Sequence, residues 1–216
     1  MKRLSLFLLV FIFNVPLMAQ QAEQRGTATV YQIPFASEGN TIELTIENSS
    51  AYLVNHVKVI ADKIPSWVHF TSTEQLVDLL KPSDETNVVF TFSIDKTAPV
   101  NKEQHLTFFI NTPAGETWTK EITIVVSQPQ KFALFQNYPN PFNPVTNIDF
   151  TVPVAQHVSL KIYDVLGREI NTLVDEVKQP GGYTVRWDVS SHSSGLYFYR
   201  LRTSNFSDVK KLSVVK

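Results

Sequence analysis

The sequence predicts an all-β protein with two β-sandwich domains in tandem behind an export segment. Three observations carry this reading. Apolar residues recur at every second position through most of the chain. Clusters of Pro, Gly, Asn, Asp and Ser punctuate the alternation at short intervals. One polar run, Ser127-Gln128-Pro129-Gln130-Lys131, divides the pattern in two. Alternation with period two marks strands with one buried face, and the punctuating residues mark the turns between them.

The first nineteen residues have the layout of a secretory signal. Lys2 and Arg3 give a positive start, and Leu4 to Phe13 is apolar except for Ser5. Pro16 interrupts the run, and Ala19 offers a small residue for cleavage. The run is too short to span a membrane. Gln20 to Gly26 is polar and reads as frayed. The first sandwich is expected over residues 27–127, with about seven short strands. Thr41-Ile42-Glu43-Leu44-Thr45-Ile46-Glu47 alternates, as does Val88 to Ile94, with Val88, Phe90, Phe92 and Ile94 on one face. Leu106 to Ile110 and Ile122 to Val126 repeat the theme. Turns are expected at Ser37–Asn40, Lys81–Asp84, Thr97–Pro99 and Thr112–Gly115. Ser72 to Leu80 is ambiguous. Gln75 three residues after Ser72 suits a helix cap, and an irregular strand suits the segment equally.

Residues 128–144 read as a proline-rich linker and lead-in, because Pro139, Pro141 and Pro144 resist both helix and central strand. The second sandwich is expected over 145–216. Ile148 to Val152, Val158 to Ile162 and Tyr183 to Trp187 alternate. Asp164-Val165-Leu166-Gly167-Arg168 reads as a tight hairpin in which Gly167 takes a positive φ. Gly181, Gly182 and Gly195 read as turn glycines. Leu196 to Leu201 carries aromatic residues, Tyr197 among them, on both faces, and Lys210 to Lys216 closes the chain. No proline interrupts these last strands, which suits central pairing.

Composition excludes several classes of function. The chain has 216 residues, 43% of them hydrophobic, with 19 basic against 20 acidic side chains and a net charge of −1. That balance points to no nucleic-acid partner. With no Cys, there is no disulfide, thiolate metal site, Cys nucleophile or lipid-anchoring Cys. No nucleophile-elbow, phosphate-loop or zinc-protease motif occurs. The five histidines (His56, His69, His105, His157 and His192) show no metal-ligand spacing. The acidic pairs Asp84-Glu85 and Asp175-Glu176 sit in turn-like contexts and read as solvated charge. No cofactor, metal ion or enzymatic activity is expected. Trp67 reads as core-facing. Trp118, near a turn, is the candidate platform for a sugar ring, set against ordinary packing of its indole.

Two resemblances follow from the motifs. Leu134-Phe135-Gln136-Asn137-Tyr138-Pro139-Asn140-Pro141-Phe142-Asn143-Pro144 is similar to the opening of the type A C-terminal sorting domain of type IX secretion cargo. Lys161-Ile162-Tyr163-Asp164, Gly167-Arg168, Pro180-Gly181-Gly182, Ser194-Gly195-Leu196-Tyr197 and the basic end Lys210-Lys211-Leu212-Ser213-Val214-Val215-Lys216 follow in that family's order. The resemblance therefore runs from Phe132 to Lys216. It implies a small sandwich read by a translocon near its C-terminal end, with a lysine-bearing strand edge as the docking surface. The secretory layout of residues 1–19 calls for the inner-membrane Sec machinery, and the resemblance further implies contact with a surface sorting peptidase. That peptidase removes the domain in many members and transfers the cargo to lipopolysaccharide in some. The weaker resemblance covers Ala28 to Ser127. A strand ending at Asn48, the step Pro65-Ser66-Trp67 and the turn Lys81-Pro82-Ser83-Asp84 are similar to immunoglobulin-like accessory domains of the NEW3 kind, with Ser83 in place of the turn glycine. Both sandwiches are thus expected to be immunoglobulin-like. In a bacterial chain, the glycosylation patterns at Asn48-Ser49-Ser50 and Asn205-Phe206-Ser207 are coincidental.

The sequence thus points to a secreted or surface-attached, non-catalytic protein. Its first domain is a structural or interaction module and its second an export signal. The alternatives are a carbohydrate-binding or adhesion module using Trp118, a periplasmic protein related to flagellar hook-capping sandwiches, and a remnant of a larger cargo protein.

Overall fold

The computed structural model describes residues 10–13, 23–25 and 28–215. Of the export segment at 1–19, only Val10–Phe13 falls among them. Ala19 and, at the other end, Lys216 lie outside the described residues. The chain divides into two compact units, Met1–Ser127 and Gln128–Lys216. Every regular element among the described residues is a strand, and none is a helix that could cross a membrane.

The first unit contains β1 (Val10–Phe13), β2 (Glu23–Arg25), β3 (Ala28–Ile33), β4 (Asn40–Glu47), β5 (Val54–Asp62), β6 (Val68–Phe70), β7 (Glu74–Leu80), β8 (Glu85–Ile94), β9 (Glu103–Asn111) and β10 (Thr117–Val126). They form a four-stranded sheet, β1-β4-β8-β6, and a six-stranded sheet, β2-β3-β10-β9-β5-β7. The strands pair antiparallel except for β3 with β10. The polar segment expected to fray instead contributes β2, which pairs with β3 through Glu23↔Val30 to Arg25↔Ala28.

Alternation in the sequence becomes the core directly. Ile42, Leu44 and Ile46 of β4 and Val88, Phe90, Phe92 and Ile94 of β8 face inward from one sheet. Leu106, Phe108 and Ile110 of β9 and Ile122, Ile124 and Val126 of β10 face them from the other. Phe90 and Phe108 meet across the gap with ring centroids 5.1 Å apart, and Phe70 lies edge-on to both. Such pairs add about 0.5–1.5 kcal/mol each to the burial of their surface. Trp67 is buried as expected, beneath a turn in which Val68 N–H donates to Pro65 O at 2.9 Å. The ambiguous segment is strand β7. Ser72 does not cap a helix. Its hydroxyl donates to Glu74 O at 2.8 Å and so starts the strand.

One buried polar residue organises the loops of this unit. Asn48, at the end of β4, is fully buried. Its Nδ2 donates to Tyr52 O (2.8 Å) and Leu80 O (3.0 Å). Its Oδ1 accepts from the Ser50 N–H (3.0 Å) and hydroxyl (2.7 Å). Its backbone N–H donates to Asp84 O, and its carbonyl accepts from Ser83 N–H at 2.7 Å. Asn48 therefore clamps the Lys81–Asp84 turn. Ser83 sits in that turn at φ 62°, in the left-handed region that glycine adopts without cost.

The second unit contains β11 (Ala133–Leu134), β12 (Val145–Val152), β13 (Gln156–Tyr163), β14 (Glu169–Lys178), β15 (Gly181–Asp188), β16 (Gly195–Arg202) and β17 (Ser207–Val214). Sheet β11-β12-β15 packs on sheet β14-β13-β16-β17. Between them lie Ile148, Phe150, Leu160, Ile162, Trp187, Tyr199, Leu201 and Leu212. The proline-free final strands were expected to be central. This holds for β16, which lies between β13 and β17, whereas β17 is at the sheet's edge. The segment expected to be a lead-in belongs to this unit's fold. Leu134 and Phe142 are in its core, and Phe132 stacks on Phe206 with centroids 5.5 Å apart. Proline content signals the absence of a regular strand, not the absence of packing, and the apolar residues between the prolines are drawn inward.

Replacing Asn48 by Ala leaves buried carbonyls and loop amides without partners, and should cost about 2–3 kcal/mol. Ser83→Gly removes the left-handed penalty of about 1–2 kcal/mol, partly offset by glycine's greater freedom when unfolded, for a net gain of about 0.5–1 kcal/mol. Urea denaturation of the two variants should move the midpoint in opposite directions.

Candidate functional site: the proline strap and the terminal strand

Residues 132–144 form a strap that crosses from one sheet of the second unit to the other. It begins beside β12, where Ala133 pairs with Thr151 and Leu134 with Phe150. Further on, Tyr138 and Asn147 exchange two backbone hydrogen bonds of 3.0 Å. The strap then leaves β12 for the outer edge of β17. There Phe142 N–H donates to Ser213 O, and Val215 N–H donates to Phe142 O, both at 3.1 Å. Pro139 and Pro141 lie in the crossing itself, where no ladder hydrogen bond is required of the missing N–H groups, and Pro144 immediately precedes β12.

A buried polar hub holds the crossing. Tyr199, on the inward face of β16, donates its hydroxyl to Phe135 O at 2.8 Å and accepts the Asn137 N–H at 2.9 Å. The Asn137 side chain, itself buried, donates to Thr146 Oγ1 (2.9 Å) and Pro139 O (3.1 Å) and accepts from Gln136 Nε2. Thr146 Oγ1 in turn donates to Pro139 O at 2.8 Å. Burial pushes the Tyr199 phenol up to about 12. Beyond the hub, Phe142 packs on the buried indole of Trp187, with ring centroids 5.9 Å apart.

The strap also closes the end of β17. Gln136 Nε2 donates to Lys211 O at 2.8 Å, and Asn140 Oδ1 accepts the Ser213 N–H at 2.9 Å. The lysine-bearing edge expected to be an open docking surface is therefore occupied by the chain's own strap from Lys211 to Val215. Lys211 is exposed, and Lys210 lies 3.8 Å from the Asp208 carboxylate.

The motif residues separate into two groups. Tyr138, Pro139, Asn140 and Pro141 lie on the strap between Asn147 of β12, which bonds Tyr138, and Ser213 of β17, which bonds Asn140. Gly195 pairs with Val214, and Tyr197 with Leu212, so both belong to the same end. Tyr197 is buried against Trp187 and donates its hydroxyl to Ser193 O at 3.0 Å. Gly167 lies at the tip of the β13–β14 hairpin at φ 77°. Asp164 Oδ1 accepts the Leu166 and Arg168 N–H groups there, and Oδ2 accepts Arg168 Nε. Desolvation pushes the Asp164 carboxyl up, but these hydrogen bonds outweigh it and hold the group below the usual carboxylate range. Gly181 and Gly182 are not turn residues. They open β15 opposite Val152 and Thr151, about 17 and 14 Å along β12 from the Tyr138 bridge at the usual ~3.4 Å per residue. Gly195 likewise opens a strand, at φ 151°. The hub residues Asn137, Thr146 and Tyr199 had not been singled out. The alternation of Tyr197, Tyr199 and Leu201 marks Tyr199 as inward-facing, but its partners lie more than sixty residues away in sequence.

In the first unit Trp118 is half-buried. It shares a face of β10 with Ile122 and Ile124 and packs against the core, so its indole is not presented as an open platform. Asn48 is buried, so its glycosylation pattern is closed in the folded chain. His69 is an exposed strand residue 3.8 Å from the Asp95 carboxylate.

Residues 132–215 thus form a small all-β module whose last strand, β17, is closed by its own strap. Residues 136–215 match the family model described as the secretion system C-terminal sorting domain, the type IX family that the motifs of this segment resemble. The match does not extend into the first unit. No curated protein matches the chain. Among solved structures, the chain is similar to the Pseudomonas aeruginosa CupB2 chaperone (15% identity, 88% of this chain and 98% of that one, TM-score 0.29). It is also similar to dimeric latent PorU from Porphyromonas gingivalis (13% identity, TM-score 0.32), covering 98% of this chain but 20% of that one. A third similarity is to the CsuC-CsuE chaperone–tip subunit complex of Acinetobacter baumannii (8% identity, 86% and 95% coverage, TM-score 0.27). At these TM-scores the likenesses carry no functional argument.

Tyr199→Phe leaves Phe135 O and Asn137 N–H buried without partners, at a cost of about 2–4 kcal/mol. The raised phenol pKa also sets a pH window. The native state keeps Tyr199 neutral up to about 12, whereas the unfolded phenol ionises near the ordinary value of 10. Stability from this group is complete below pH 10 and is lost as pH rises through 12. The stability gap between wild type and Tyr199→Phe should therefore be widest below pH 10 and narrow above it, as measured by denaturant titration at stepped pH.

Proposed function

We propose that this is a secreted or surface-displayed protein whose second unit carries it across the outer membrane by the type IX route, with the first unit as non-catalytic cargo. The observation that supports this most is the family match over residues 136–215, together with a fold in which the motif residues at 136–142 secure the terminal strand. In this reading residues 1–19 direct the chain to the Sec machinery and are cut after Ala19. The sorting domain then meets the type IX translocon and its sorting peptidase, which severs it and can join the cargo to lipopolysaccharide. Because Phe132 packs on the second core, severance falls within Gln128–Lys131. The first unit serves as an immunoglobulin-like structural or interaction module of the NEW3 kind.

Expression in the native host of the full chain and of a chain ending at Ser127 tests this. The full chain should reach the surface or the medium with Gln20 as its N-terminus and without peptides from Phe132 onward. The shortened chain should accumulate in the periplasm. Its appearance at the surface would overturn the export reading.

A further inference from the structure

The strap does more than close the sandwich. Its backbone is held at both ends, yet Tyr138 is 81% exposed. Tyr138 N–H and C=O are both bonded to Asn147. On one side of it Asn137 is buried in the hub. On the other, Asn140 is tied to Ser213 and Phe142 is in the core. Pro139, Asn140 and Pro141 beside it are exposed as well. A large aromatic side chain is therefore displayed in water from a backbone that is hydrogen-bonded in place. The ring contributes nothing visible to the packing of the unit. Rigid exposed tyrosines are the residues that interfaces use as anchors, because ordering them costs little on binding.

The chemistry of the strap narrows the partner. Phe132 to Pro144 contains no charged residue. This is unsuited to a phosphate or another anionic group and suited to the charge-depleted core of a protein interface. Leu196 (43% exposed) and Val215 (52% exposed) add apolar surface at the end of β17, next to Ser213 and Phe142 respectively. The edge of β17 from Lys211 to Val215 is occupied by the strap, so a partner approaching that edge meets the strap first.

We propose that the Tyr138–Pro141 ridge is the recognition anchor of the second unit, and that Tyr138 inserts into an apolar pocket of a folded protein of the export machinery. This rests on the export reading above and names the contact through which it operates.

The test compares export of Tyr138→Ser, Tyr138→Lys and Val154→Ser in the native host, with the chain ending at Ser127 as reference. Val154 is an exposed apolar residue (55%) in the β12–β13 turn, at the far end of β12 from the Tyr138 bridge. Both Tyr138 variants should melt like the wild type and lose at least tenfold in surface or medium recovery, while Val154→Ser is exported normally. Purified full chain should bind outer-membrane vesicles from the host. That binding should fall at least tenfold for Tyr138→Ser and vanish when the vesicles are first treated with protease. Normal export of either folded Tyr138 variant overturns the anchor. Binding that survives protease treatment makes the occupant a lipid or glycan and overturns the protein pocket. Export of the chain ending at Ser127 sinks the export reading itself, an outcome distinct from failure of the anchor alone.

Discussion

The second unit depends on a single hydroxyl. Tyr199 stands on the central strand of one sheet and reaches the strap through two hydrogen bonds, one given to Phe135 O and one taken from Asn137 N–H. A strap with prolines at three of its last six positions cannot supply a continuous ladder of its own. Its backbone groups must find partners elsewhere, and the hub of Tyr199, Asn137 and Thr146 provides them. Once those bonds fix the crossing, Phe142 is delivered to Trp187, and the strap comes to rest along β17. Without the hub, the edge of β12 and the end of β17 would both lie open, and open edges invite indiscriminate pairing.

The first unit answers a different constraint. Its sheets are held by alternating apolar faces, and a simple reading of period two places nearly every core residue. What alternation leaves undetermined is how the loops close. Asn48 settles this at one end, where its side chain meets four backbone or hydroxyl partners and its backbone holds the turn at Ser83. A strand ending in Asn and a turn lacking its glycine are both visible in the sequence. That they contact each other is not.

The same division explains what was legible elsewhere. The strands of both units follow from side-chain periodicity, a local property, and so does the Gly167 hairpin, whose Asp164 and Arg168 lie within five residues of each other. Three features escaped because they are settled by distant partners. Residues 128–144 read as a linker, since prolines signal what a segment cannot form rather than what it packs against. β17 lacks proline and so suits central pairing by its own residues, which do not show that its outer neighbour is a strap. Gly181 and Gly182 read as turn residues, although their place is set by pairing with Val152 and Thr151. The motif at Tyr138–Pro141 was recognisable in sequence as a family signature, but the reason for its rigidity lies in Asn137 and Tyr199, which alternation marks only as buried.

The inclusion of the strap in the second unit has a consequence for modularity. From Phe132 onward, the core apolar residues of this unit pack on one another, and the buried Asn137, Thr146 and Tyr199 find their hydrogen-bond partners within the unit. Before Phe132 comes the short polar stretch Gln128–Lys131, whose last carbonyl, that of Lys131, accepts the Thr151 hydroxyl at 3.0 Å. A fold sealed in this way is transplantable. It can follow an unrelated chain without either partner being redesigned, provided that the host ends at its surface. One address label of this kind could serve many contents, and natural selection could exchange the contents by recombination within that polar stretch while leaving the label unchanged.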